Sequence, residues 1–419
     1  MTADQTVDLL TPDALADPYA AFGLLREQAP TVWSETHKAW VVTRYDGVRE
    51  GFTDAVRLSS DRLTPYWRRL TPDRVDKLGT TFELLRGWMV FHDAPVHAAL
   101  RDPVRKAFTP RQLDRLRPKI ETIAEELLDG MAARGEGDFK AEVAFPLPAL
   151  VIAELMGVEG GARDQFKNWS AKLAAIVFGE SDNPERDERA AEGAAEFVEY
   201  FSWLIRRRRE QPGDDLVSAL LAAIGDPETA GGAVDEAGPL TDLRLIGACT
   251  LLLFAGHETT TNLLTNAALS LIRHPDQARL LLEDPGLTDL AVEELLRFDG
   301  PVKIMVRAVR EDHERDGVQM RAGETVYLAV ASAQRDPRAW ERPDDLVLDR
   351  PADRGRPGMA FGQGAHFCLG AALARLEARI AIPAALRRFP KMRLLTDDLG
   401  WEAQIVGRTM LELPVSVHG

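Results

Sequence analysis

The stretch Phe361-Gly362-Gln363-Gly364-Ala365-His366-Phe367-Cys368-Leu369-Gly370 constrains this chain more than any other. A helical pattern, AALARLEARIAIPAALRRF, follows it directly, so a helix is predicted over 368–389 with Cys368 at or beside its first turn. Backbone N–H groups there lack intrahelical partners and the helix end is positive, which favours thiolate over thiol. The glycines ahead of the sulfur permit a turn that brings backbone close to something flat or bulky. The other cysteine, Cys249, stands 119 positions upstream in an apolar run and reads as a small buried hydrophobe. Two cysteines so far apart make neither a disulfide framework nor a Cys-rich zinc site, so the chain reads as intracellular and reduced.

Helical periodicity dominates the rest. Further helices are predicted over 118–133, 190–210, 241–273 and 288–298, and short strands over 39–43, 303–308, 325–329 and 411–417. Gly213-Asp214, Gly231-Gly232 and Pro357-Gly358 mark loops. No repeat and no long linker divides the 419 residues, so one domain spanning 1–419, mainly α with a small β portion, is expected. The formal charge of −15 argues against a nucleic-acid binder, whose affinity would rest on neutralising phosphates. The start, MTADQTVDLL, is no signal peptide, and the longest apolar run, over 245–255, is too short to span a bilayer. A cytoplasmic protein without membrane attachment is the expectation. The cluster Arg206, Arg207, Arg208 and Arg209 reads as a solvated helix end before Pro212-Gly213.

Two more segments carry polar groups where an ordinary core has none. Ala255-Gly256-His257-Glu258-Thr259-Thr260 lies in the middle of the most apolar long helix, where polar side chains are costly unless paired or used. Its bland reading is threonines bonded back to carbonyls and Glu258 reaching solvent. Glu294-Leu295-Leu296-Arg297 places opposite charges at i, i+3 on one helix face, where a buried ion pair is feasible. Alone that spacing is worthless, because any charged helix supplies it.

Together the three segments resemble the cytochrome P-450 family in order and separation. FGQGAHFCLG matches Phe-Gly-x-Gly-x-His/Arg-x-Cys-x-Gly at every fixed position, and Glu-x-x-Arg stands 71 residues before the cysteine. Asp17-Pro18-Tyr19, Trp40 to Tyr45, Leu58-Ser59-Ser60, Pro212 to Leu216 and Arg335-Asp336-Pro337 extend the likeness to bacterial soluble members over nearly the whole chain. The resemblance implies a triangular-prism fold with haem b between the long central helix and the cysteine loop. Cys368 would be the metal ligand, with Ala255, Gly256, Phe361, Gly362 and Gly370 against the cofactor. His97, Arg101, Arg307 and His366 would neutralise its propionates. Glu258 and Thr259 would be the catalytic acid–alcohol pair that relays protons, and Glu294 with Arg297 a structural ion pair. One position departs from the family: Asp345 stands before Leu346, where a basic residue usually completes the network, so either Arg342 or Arg350 substitutes or the network is built differently.

The implied function is a monooxygenase of secondary metabolism that inserts one atom of dioxygen into a small apolar molecule. Electrons would come from NAD(P)H through a separate ferredoxin and its reductase, since no flavin or iron–sulfur module is recognisable. Arg105, Lys106, Arg111, Arg115, Arg375 and Arg379 would form a basic docking patch if their segments share a face. A peroxide-driven haem-thiolate enzyme and a non-catalytic haem sensor are the alternatives. By resemblance the substrate is met by residues 80–91, 169–178, 252–259 and 302–306 and by Ile405 and Val406, with Lys303 expected to snorkel to solvent.

Overall fold

Helix starts follow local chemistry. Asp17 accepts the N–H of Tyr19 at 3.0 Å and Pro18 occupies the first helical position, so helix Pro18–Gln28 is capped by its own sequence. In the computed structural model these elements assemble into two compact units, described here over residues 7–158, 163–177, 185–224, 242–351 and 356–418. Gly231-Gly232, Thr241 and Phe178 lie outside the described residues.

The first unit, Met1–Ser59, Ile120–Pro148 and Glu258–Gly419, contains every strand among the described residues. These are β1 (Thr31–Ser34), β2 (Ala39–Val42), β3 (Leu58–Ser59), β4 (Glu136–Asp138), β5 (Met305–Val309), β6 (His313–Arg315), β7 (Val318–Met320), β8 (Thr325–Leu328), β9 (Arg393–Leu394) and β10 (Pro414–Ser416). A five-stranded sheet has the order β1-β2-β8-β5-β3; β2 and β8 are parallel and the other neighbours antiparallel. The period of two along β2 decides its packing: Val41 enters one apolar cluster with Phe22 and Ile304, while Val42 enters another with Tyr45, Phe52 and Leu328. β6 and β7 are joined by Asp316-Gly317, both at positive φ, the two-residue turn whose twist suits a hairpin.

The second unit, Ser60–Lys119 and Ala149–His257, is helical. Phe166, Trp169, Phe197, Tyr200 and Phe201 form its aromatic core, with Phe166 and Trp169 edge to face at 5.1 Å. Helix Pro72–Leu85 is fastened to helix Arg186–Glu210 by Arg74 on Asp187 and by the Thr81 hydroxyl on the Ala190 carbonyl. A Cβ on Gly247 would stand 2.6 Å from the Gly87 Cα, so both glycines are needed for that close backbone approach.

Helix Asp242–Arg273, 32 residues, contributes its first half to the second unit and its second half to the first. At 1.5 Å per residue it extends about 48 Å. No described helix is long and apolar enough to cross a membrane.

Candidate functional site

The cysteine loop is assembled inside the first unit. Gly362 and Gly364 have φ of +67° and +69°, a region closed to most side chains, and they fold the loop into a tight turn. The Gly362 N–H donates to the Met359 carbonyl at 2.9 Å, and the Cys368 N–H returns to the Phe361 carbonyl at 2.9 Å. The following helix begins at Ala371, three residues beyond the cysteine, with Gly370 at its cap. A Cβ on Gly370 would lie 3.9 Å from the Cys368 sulfur, so the thiol stands beside the positive helix end and is exposed. His366 is half-buried in the 3-10 turn Gly364–His366. Cys249 is fully buried, and burial pushes its thiol up to about 12. One sulfur is presented and the other is filler.

Phe52, which the sequence reading passed over, joins the loop to a predicted cation. A Cβ on Gly362 would meet its ring at 3.4 Å, and the Arg307 guanidinium lies over the same ring at 5.7 Å. Arg307 is buried on β5, with Nη1 donating to the Val306 carbonyl at 2.9 Å. Phe361 is covered by the Arg375 guanidinium at 4.3 Å.

Glu294 and Arg297 are both 3% exposed and form a two-point ion pair, with Nε and Nη2 each 2.8 Å from a carboxylate oxygen. Arg350 fills the place left open by Asp345: its Nε lies 2.9 Å from Glu294 Oε2, and the Val347 N–H donates to Oε1. Arg342 instead pairs with Asp345 at the surface. Arg297 donates onward to the carbonyls of Pro343, Asp345 and Gln334. Gln334 was not singled out from sequence, although it directly precedes Arg335-Asp336-Pro337. Its side-chain oxygen accepts the Met359 N–H at 3.0 Å, which links the ion-pair network to the root of the cysteine loop.

Along the long helix, exposure marks one face. Ala255 is exposed and Leu252, Gly256 and Thr259 are half-buried, at i, i+3, i+4 and i+7, whereas Leu253, Phe254, His257 and Thr260 are buried. Glu258 is half-buried beside Thr259. Thr250 and Thr265 bond back to carbonyls of their own helix, the bland behaviour expected of helical threonine. Asn262 and Asn266 turn to Thr409 and Arg408 in the first unit.

His97 and Arg101 lie one turn apart on helix Val96–Ala107 of the second unit, which also holds Ala255 and Gly256. Burial of His97, and then the charge of Arg101, hold its imidazole below the usual range. The other predicted site residues belong to the first unit. Among the described residues no group of three or more His, Cys, Asp or Glu could hold a metal ion, so the donor set is a single presented thiol rather than a multi-ligand centre.

Three expectations change. Lys303 does not snorkel: it is 5% exposed, and its Nζ donates to the Gln404 carbonyl at 2.9 Å because the N-terminal helices cover it. The arginine cluster is less solvated than its sequence suggests, with Arg207 over Trp203, Arg208 on Asp215 and Arg209 on Asp242. Much of the suggested docking patch is neutralised within its own unit, by Arg105–Asp102, Arg115–Asp214, Arg375–Glu293 and Arg379–Asp289.

The family model described as Cytochrome P450 matches residues 29–394. Cytochrome P450 107B1 of Saccharopolyspora erythraea is 39% identical, covering 99% of both chains. Vitamin D(3) 25-hydroxylase of Pseudonocardia autotrophica is also 39% identical, covering 99% of this chain and 98% of its own. Among solved structures, P450BioI in complex with hexadec-9Z-enoic acid ligated acyl carrier protein superposes with a TM-score of 0.85 at 33% identity, covering 97% of this chain and all of the other.

Proposed function

The chain belongs to the cytochrome P450 family, oxidoreductases that act on small substrates, and from that premise we propose that it is a haem-thiolate monooxygenase of the bacterial type. Cys368 would hold haem b through its thiolate. The observation that carries this reading is the exposed Cys368 thiol beside a helix N-terminus, in a loop whose turn needs two left-handed glycines. The residues of the first unit fit the group: one thiolate donor, a cradle of glycines, and Arg307 and His366 as cations for a propionate; by resemblance to the family, His97 and Arg101 of the second unit would serve the same charge.

When bound, the haem supplies the one-electron and dioxygen chemistry. The chain's own residues govern protons and water. Glu258 and Thr259 are consecutive half-buried residues of the long helix, and a hydroxyl both donates and accepts, so Thr259 would pass on a proton that Glu258 supplies. Leu252 and Ala255 make the neighbouring face apolar, which excludes stray water and favours an apolar substrate. In the overall balance, dioxygen, two electrons and two protons yield one hydroxyl on the substrate and one water. The electrons come from NAD(P)H through a separate ferredoxin and reductase in the cytoplasm. A hydroxylase of vitamin D(3) and a P450 in complex with a fatty acid ligated acyl carrier protein among the relatives support an apolar small-molecule substrate. Both alternatives lose ground to Glu258 and Thr259: peroxide as oxidant needs no such relay, and a sensor needs no proton delivery.

The deciding experiment is Thr259→Ala in the reconstituted system. NAD(P)H consumption should continue while hydrogen peroxide replaces product; an unchanged ratio of product to NAD(P)H would overturn the relay. Retention by Cys368→Ala of an unaltered thiolate-haem spectrum would overturn the ligand assignment.

A further inference from the structure

The first unit contains a cavity of about 490 Å³ that has no part in the site described above. Its volume lies within the roughly 300–1,000 Å³ range of small-molecule pockets. It is far larger than the share of one water, about 30 Å³. Its walls come from the C-terminal half of the long helix, from helix Pro275–Glu283, from helix Ala371–Arg388, and from Phe139 and Val143 at the π-helical turn Lys140–Ala144.

The space exists because small side chains face one another across it. Ala268, Ala278, Ala381 and Ala385 line it on three helices, the last two at i, i+4 on one face. Interiors are otherwise packed to crystal density, and larger apolar residues at these places would close the gap. Among the lining residues two are charged. Asp276 accepts from Gln277 at 3.3 Å, whereas Arg279 is exposed and has no ion-pair or hydrogen-bond partner among the described residues. An apolar chamber with one uncommitted guanidinium in its wall is complementary to an apolar chain that ends in an anion.

The geometry points to a second ligand site, a chamber that binds a single-chain amphiphilic carboxylate of about ten to twelve carbons, tail among the four alanines and carboxylate on Arg279. The inference stands on this unit alone and does not depend on the haem reading.

Equilibrium dialysis of the holoenzyme against labelled dodecanoate, below its micellar concentration, tests it. Saturable binding of one equivalent is expected, strengthening about fourfold per methylene from octanoate to dodecanoate. Ala385→Phe and, as an independent variant on a half-buried position, Ala278→Trp should each abolish it while the haem spectrum and cooperative melting are retained. Arg279→Gln should weaken dodecanoate about threefold to fivefold and leave dodecanol unchanged. Ala255→Phe, which obstructs the exposed face of the long helix, should leave this equivalent in place. Absence of saturable binding overturns the inference, and with it a rise in melting temperature of Ala385→Phe would identify the chamber as a packing void. Binding that is lost in Ala255→Phe but kept in both filled variants also overturns it.

Discussion

The side-chain oxygen of Gln334 accepts the backbone N–H of Met359 at 3.0 Å, while the Gln334 carbonyl accepts Arg297 Nη1 at 2.9 Å. Gln334 is 2% exposed, so neither bond is easily replaced by water. One residue therefore transmits the position of the Glu294–Arg297 network to the start of the turn that presents Cys368.

Gln334→Leu removes the acceptor without removing much volume and leaves the buried Met359 N–H unsatisfied, a loss of about 1–3 kcal/mol. The melting temperature should fall, and haem should dissociate faster than from wild type at equal temperature. Gln334→Glu, which keeps an acceptor at that place, should hold its haem better than Gln334→Leu. Equal haem loss in the two variants would show that the bond to Met359 does not position the loop.

Arg350 Nε donates to Glu294 Oε2, the same oxygen that accepts Arg297 Nε. Arg350→Ala leaves the Glu294–Arg297 pair intact and should cost about 1–3 kcal/mol in denaturant unfolding. Glu294→Ala leaves a guanidinium buried at 3% exposure with no countercharge, and about 3–5 kcal/mol is the expected loss. Arg350 and Glu294 are direct partners, so their double-mutant cycle should be non-additive. Arg342→Ala, on an exposed pair with Asp345, should lie within about 1 kcal/mol of wild type.

Where hydrophobic period and local chemistry agree, the fold can be read from residues alone. Thr288–Phe298 and Ala39–Val42 follow the periodicity almost to the residue. The long helix starts at Asp242 and ends at Arg273, within the predicted 241–273. Where a residue type misleads, boundaries move: Pro118 reads as a helix start, yet it lies inside Pro110–Arg134, so the first two turns were missed. β1, four residues with polar ends, has too short an alternation to stand out. The site shows the same division. Cys368, Glu294 and Arg297 announce themselves by motif, whereas Phe52, Gln334 and the choice of Arg350 over Arg342 depend on contacts distant in sequence. Lys303 misleads because its stem and charge suit a surface, and nothing local tells that the N-terminal helices cover it.

Ala255 is an exposed residue in a helix whose neighbours Phe254 and His257 are buried. Ala255→Phe adds bulk at an exposed position, so unfolding of the haem-free protein should change by less than about 1 kcal/mol. If this face borders the substrate, as proposed, optical titration of the ferric protein should lose its spin-state shift with large apolar ligands. A preserved shift with unchanged affinity would move the pocket elsewhere. Gly256→Ala is milder, since its Cβ would stand 3.2 Å from the flexible Ile152 Cδ1. It should lower affinity without lowering stability measurably.

Burial lowers the Lys303 amine from 10.5 to about 8, and the charge of Arg408 acts in the same direction. A base whose folded value is depressed binds fewer protons in the native than in the unfolded state between the two values, so stability rises with pH across roughly 8 to 10.5. Below about 8 the amine is protonated in both states, and the full penalty, on the order of 3 kcal/mol, is present. Lys303→Met removes that penalty and also the bond to the Gln404 carbonyl, which returns about 1 kcal/mol. The variant should therefore be more stable than wild type at pH 7 by about 2 kcal/mol. The advantage should shrink through pH 8 to 10 and reverse above the unfolded value, where the wild-type amine is neutral and still hydrogen-bonded. Urea unfolding at pH 7 and pH 10 measures it; a gap that does not change between them would mean the native amine keeps its proton as the unfolded one does, with no depression by burial.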